Sequence, residues 1–154
     1  MQPLIKLLLL TILLGLLPSG SIAQKSQHTT RSAATATEQR TAPVDDAALG
    51  RAFANQTSDI QVKGRGKVIS LLPDDVSGSR HQRFIVRLAS GQTLLISHNI
   101  DIAPRVAGLK VGDTVRFYGE YVWNAKGGII HWTHHDPQGR HVTGWVIHKG
   151  KTYK

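Results

Sequence analysis

The sequence predicts an all-β domain, a small closed sheet with one short helix, and three observations carry that prediction. From Thr114 to Trp123 the residues alternate: Val115, Phe117, Gly119, Tyr121 and Trp123 share one phase, Thr114, Arg116, Tyr118 and Glu120 the other. That is the period of a half-buried strand. Earlier stretches, Arg83–Ala89 and Gln92–His98, alternate in the same way. Turn residues punctuate the runs, at Ser90-Gly91, at Asn124–Gly128 and at Asp136-Pro137-Gln138-Gly139.

Taken in order, the chain opens on residues that do not belong to the domain. In Met1–Ala23 a single basic residue, Lys6, precedes the apolar run Leu7–Leu17, and Ser21-Ile22-Ala23 offers the small residues a signal peptidase reads. The run is well short of the roughly twenty apolar residues a spanning helix needs. The sequence therefore predicts a signal peptide over 1–23 and an exported protein, periplasmic or extracellular, with no stable membrane insertion once the signal is removed. Residues 24–44 are rich in Ser, Thr, Ala and Gln and nearly lack large apolar side chains. Such a stretch cannot offset its ordering entropy and is predicted to be a disordered linker. Residues 45–58 form a helical lead-in, in which Asp45 and Asp46 suit the N-terminal dipole and Leu49 and Phe53, four apart, can dock on the domain beyond it. With no cysteine in 154 residues, neither lipid attachment nor disulfides are available. An ordinary apolar core must hold residues 59–154 together as one domain.

The first strand of that domain is Val62–Leu72. Lys63, Arg65 and Lys67 alternate with Val62, Gly64, Gly66 and Val68, and then the parity slips, because Ile69 and Leu71 fall in phase with the cations. A bulge near Gly64 or Gly66 is the expected remedy. Pro73–Ser79 reads as a loop, and Asp74 and Asp75 as turn carboxylates. Strand two runs over Arg83–Ala89, with Phe84, Val86 and Leu88 inward; strand three, Gln92–His98, puts Leu94, Ile96 and His98 on one face. Asn99–Leu109 leaves the β pattern, and Asp101 is placed to cap a short helix whose first turn tolerates Pro104. Strand four comes after Gly112-Asp113, and Ile129–His134 returns as its hairpin partner. Residues 140–154 form a C-terminal β extension, with a strand at His141, Thr143 and Trp145 and a turn at Lys149-Gly150. A bent first strand, a hairpin, a short helix and a final hairpin match the order of a five-stranded OB-fold-like barrel.

Several phrases in this span resemble a known family. LPDD at Leu72–Asp75, HNID at His98–Asp101, GEYVWN and HWTHHDPQGRHVTGW are similar to the bacterial family catalogued as domain of unknown function 3465. The resemblance covers Ile60–Lys154. It implies a domain boundary, and it implies no activity and no catalytic residue.

Function must then be sought in the residues. The formal net charge is +9, and Lys63, Arg65, Lys67, Arg83, Arg87 and Arg116 are expected on one exposed face, where they would attract an anionic ligand. The plainer alternative is a solvated polar surface. Single-strand binders also stack bases on aromatic rings. The outward phases of strands one to three carry no aromatic residue, leaving Tyr118, Trp132 and Trp145 as candidates. The histidines offer a second constellation. The Asp136–Gly139 turn is expected to set His134 opposite His141, close enough for two imidazoles to share one metal such as zinc. His98 or Asp136 would be the third ligand. The alternative is that these are hydrogen-bonding turn residues. His81 and His148 read as loop residues without a role. No nucleophile elbow, phosphate loop or dinucleotide fingerprint is present.

The function these residues predict is that of an exported OB-fold-like module that binds an anionic ligand (nucleic acid, polysaccharide or a phosphorylated molecule) and performs no covalent chemistry. The competing reading is a metal-dependent hydrolase, in particular a phosphodiesterase, built on the histidine cluster.

Overall fold

The computed structural model describes residues 44–154; the signal peptide expected over 1–23, and all of the expected linker except Val44, lie outside the described residues. The fold is mostly β with one short helix. Helix α1 spans Val44–Ala54, and the strands are β1 (Ile60–Asp75), β2 (His81–Arg87), β3 (Thr93–Asn99), β4 (Thr114–Val122), β5 (Ile129–His131), β6 (Trp145–His148) and β7 (Lys151–Tyr153). The sheet order is β1-β2-β3-β5-β4-β6-β7, and a β1–β4 pairing closes the first five strands into a ring. Within it β3 and β5 are parallel, whereas β1 runs antiparallel to both β2 and β4.

The ring closes because β1 serves two neighbours in turn. Its N-terminal half pairs with β4 from Ile60↔Tyr121 to Lys67↔Thr114, and its C-terminal half pairs with β2 from Lys67↔Arg87 onward. At the changeover the Val68 N–H donates to the Asp113 carbonyl, and the Val68 carbonyl accepts from Gly112 N–H. The β2 ladder therefore slips between Val68 and Ser70, leaving Ile69 as the bulge. The slip expected from parity is present, but not at the glycines, where the β4 ladder runs on unbroken. Gly64 and Gly66 answer a packing need. A Cβ at Gly64 would collide with the Phe117 ring, which lies across it, and one at Gly66 would press on Val86. β1 also extends further than expected, through Pro73 to Asp75.

Inward positions of every ring strand meet in one core: Val62 and Val68, Phe84 and Val86, Leu94 and Ile96, Val115, Phe117 and Tyr121, and Ile130, joined by Val146 of β6. α1 buries Leu49 and Ala52 against this core. The Trp123 indole N–H donates to the Phe53 carbonyl at 3.1 Å, which ties the end of the helix to the end of β4.

The helix expected after Asp101 is absent; residues 100–113 form short turns joined by irregular backbone. The groups that would have built it are engaged elsewhere. Asp101 accepts from the Arg80 backbone N–H and from its Nε, both at 2.7 Å. The Gln82 amide pairs with both backbone groups of Val106, and the Pro104 carbonyl accepts from His98 Nε2. The C-terminal extension is present but begins at Trp145, so His141 and Thr143 precede the strand. Lys149 and Gly150, both at positive φ, form the two-residue turn of the β6–β7 hairpin.

Candidate functional site

The cations expected on one face fall in adjacent rungs of the sheet. Lys67 lies opposite Arg87 on β2 and Thr114 on β4; Arg65 lies opposite Arg116; Lys63 lies opposite Tyr118, which lies opposite Trp145 of β6. All five cations are exposed. Among the described residues none of the five is in an ion pair. Arg83 stands apart. It pairs with Leu72 beyond the bulge, its Nε donates to the Pro73 carbonyl at 3.1 Å, and its guanidinium lies 3.9 Å from Asp75.

The aromatic residues that outward strand phases lacked arrive through β4 and β6. The Tyr118 and Trp145 rings are 5.9 Å apart, centroid to centroid. Lys63 Nζ lies 5.3 Å from the Tyr118 centroid, and the Arg116 guanidinium lies 5.9 Å from that of Trp145. A strand after the Asp136 turn is readable from sequence. That its first residue lies beside Tyr118 depends on where β6 meets β4, and local periodicity carries no such information.

The histidines are arranged differently from the sequence expectation. The 136–139 turn forms, with Gly139 N–H donating to the Asp136 carbonyl, but no ladder continues from it. The His134 carbonyl accepts from Gly144 N–H, so His141 is not its partner. Trp132 comes between the two: its ring stacks on His141 at 3.6 Å and 13°, and lies 5.4 Å from the His134 ring. Trp132 has a φ of 50°, a left-handed conformation rare for a bulky residue. It turns the chain off β5 early, which is why that strand ends at His131 rather than His134.

Each residue of the expected ligand set has protein partners. The Asp136 carboxylate accepts backbone N–H groups from Gln138, Arg140 and His141, and these hold its pKa below the ordinary carboxylate value. His98 is fully buried; Nε2 donates to the Pro104 carbonyl and Nδ1 accepts from the Thr133 hydroxyl. Burial pushes its pKa down to about 4, so it is a neutral structural histidine at physiological pH. Among the described residues no group of three His, Cys, Asp or Glu side chains is arranged to hold a metal ion.

A pocket of about 360 Å³ opens where β2 begins and β3 ends, against the 132–140 segment, lined by His81, His131 and His134 together with Asn99, Trp132 and Arg140. His81, which the sequence pattern places in a loop, is the first residue of β2 and lies opposite Asn99. His148 ends β6, where it is buried and sits 2.8 Å from Asp113, whose pKa it lowers.

The family described as protein of unknown function (DUF3465) matches residues 32–154. The chain belongs to that family. The DUF3465 match takes in α1 as well as the sheet, and so reaches further toward the N-terminus than the phrases from Ile60 onward. No curated protein and no solved structure matches the chain. Among the described residues no helix is long and apolar enough to cross a membrane.

Proposed function

We propose that the chain is an exported OB-type barrel that binds an anionic ligand on the outward face of β1, β4 and β6, and that single-stranded nucleic acid suits this face best. The observation that carries the reading is the placement of Lys63 and Arg116 beside the Tyr118–Trp145 pair, with Arg65, Lys67 and, at the β2 border, Arg87 in the rungs beyond, all exposed and none ion-paired among the described residues. Cations in adjacent rungs attract phosphates and release their counterions. A pair of ring faces among them accepts bases of any sequence. The circular strand order and the parallel β3–β5 contact support the OB assignment. Export is supported by the short apolar run and the Ser21-Ile22-Ala23 site. The mature chain is accordingly expected to begin at Gln24, and intact mass of the exported protein checks this; recovery of Met1 outside the cytoplasm rules it out.

Binding is tested by titrating short single-stranded DNA and heparin at several salt concentrations. A Lys63→Ala, Arg65→Ala variant should bind both more weakly. Its log–log salt slope on DNA should fall by about 0.7 for each phosphate contact removed. Trp145→Leu keeps apolar bulk but removes the ring face, and should weaken DNA by about 1–3 kcal/mol while leaving heparin unchanged. Equal affinity and slope in parent and double variant would show that the face is only solvated surface.

A further inference from the structure

The histidine pocket lies outside the face of β1, β4 and β6, and its chemistry is different. We propose that it is a second binding site, one that takes a small oxyanion of the phosphate or sulfate class. The argument rests on what its groups have left to offer. Asp136, the one carboxylate lining the pocket, already accepts three backbone N–H groups, one on Oδ1 and two on Oδ2, which leaves it few lone pairs with which to ligate a cation. Arg140 is in no ion pair among the described residues and supplies a fixed positive charge.

His81 donates Nδ1–H to the Ser79 carbonyl at 2.7 Å, and His134 donates Nδ1–H to the His135 carbonyl at 2.8 Å. A carbonyl can only accept, so these bonds fix the tautomer and leave Nε2 as the ring nitrogen not bonded to the backbone in each. His131 makes no side-chain hydrogen bond to the described residues.

Binding of an anion here is therefore coupled to proton uptake. Burial holds His131 and His134 below the ordinary histidine pKa, and the charge of His81 adds to the effect on both. Without a ligand His131 and His134 are therefore mainly neutral at pH 7. Sulfate offers acceptors only, and ionised phosphate mostly acceptors, which favours the protonated, donating form of His131 and His134. Of the neighbouring charges, Asp136 acts the other way on His134 and favours its charged form, but burial is the larger effect and the net shift is downward; Glu120 lies opposite His131 on β4. Arg80 is paired with Asp101, and His141 lies 3.8 Å from Glu120. His135 is exposed and bonded to Thr143, and His98, behind His134, is held neutral by burial. The walls are fixed in place by the three bonds to Asp136 and by the Trp132–His141 stack, so the site is formed before its ligand arrives.

Sulfate is the discriminating probe, because its own charge does not change across the range used. Isothermal titration of sulfate into the full chain should show affinity about tenfold or more tighter at pH 5.5 than at pH 7.5, one proton taken up giving up to tenfold per pH unit. His134→Asn, whose amide can keep the bond to the His135 carbonyl, should flatten the pH dependence. Arg140→Ala should weaken binding at both pH values. The Lys63→Ala, Arg65→Ala variant should bind sulfate as the parent does, which separates this site from the nucleic-acid face. A parallel titration with inorganic phosphate tests the second member of the class. No sulfate binding at millimolar concentration, equal affinity at both pH values, or loss of binding in the Lys63→Ala, Arg65→Ala variant with retention in His134→Asn would each overturn the proposal.

Discussion

Phe117→Ala should destabilise the domain by about 3–5 kcal/mol, the range for deleting a fully buried aromatic ring, against a total of about 5–15 kcal/mol for domains of this kind. Phe117 is completely buried, lies across Gly64 on β1 and pairs with Val146 on β6. Its ring thus fills the space that two neighbouring strands leave for it. Gly64 has no side chain to collapse into the void, so little of the loss can be recovered. Removing the ring loosens the β1–β4 seam that closes the sheet and the β4–β6 seam that brings Trp145 to Tyr118. Urea unfolding traced by tryptophan fluorescence measures the loss, and a cost below about 1 kcal/mol, the scale of a single buried methylene, would show that the ring does not fill this seam.

The second large effect is on pH dependence. Stability should be level above about pH 7 and fall as the pH drops from 6.5 to about 4, by up to about 3 kcal/mol from His98 alone at 1.36 kcal/mol per pKa unit. The sign comes from proton counts. In the unfolded chain His98 protonates near 6.5; in the folded protein burial delays this to about 4. Between those values the unfolded state binds one proton more, and acid favours it. His131 and His134, also lowered by burial, act in the same direction. Asp101, Asp113 and Asp136 have lowered values as well. Their contribution is lost only as pH falls through their folded pKa values, below 3.8, so the two windows are separable. His98→Leu, though less stable overall, should show a shallower slope between pH 6.5 and 4. An unchanged slope in that variant would place the titration on other groups.

The strands are legible in the sequence because alternation is a local signal. The inward sets of β2, β3 and β4 read directly from Phe84, Val86, Leu94, Ile96, Val115, Phe117 and Tyr121, all of which are buried. Choices made between distant groups leave no such trace. The helix after Asp101 does not form because Arg80, Gln82 and His98 claim the acceptors and donors of that segment from outside it. The bulge sits at Ile69 rather than at the glycines because the backbone of Gly112 and Asp113 pairs with Val68. The register across the Asp136 turn departs from expectation because Trp132 leaves the strand conformation, a change with no signature in periodicity. For the candidate site, five of the six cations fall in adjacent rungs because they obey strand phase, whereas the Tyr118–Trp145 pair and the His81, His131 and His134 pocket arise where elements meet.

The division of β1 between two partners also has a kinetic consequence. The β2–β3 hairpin joins residues close in sequence, from Arg87↔Thr93 to His81↔Asn99, and its loop costs little entropy to close. The β1–β4 ladder instead brings Ile60 to Tyr121, and the longer loop it closes costs more entropy. Nucleation should therefore start with β1's C-terminal half and the β2–β3 hairpin, while the β1–β4 seam zips late. Substitutions along that seam, Phe117→Ala among them, should mainly accelerate unfolding and leave the folding rate nearly unchanged.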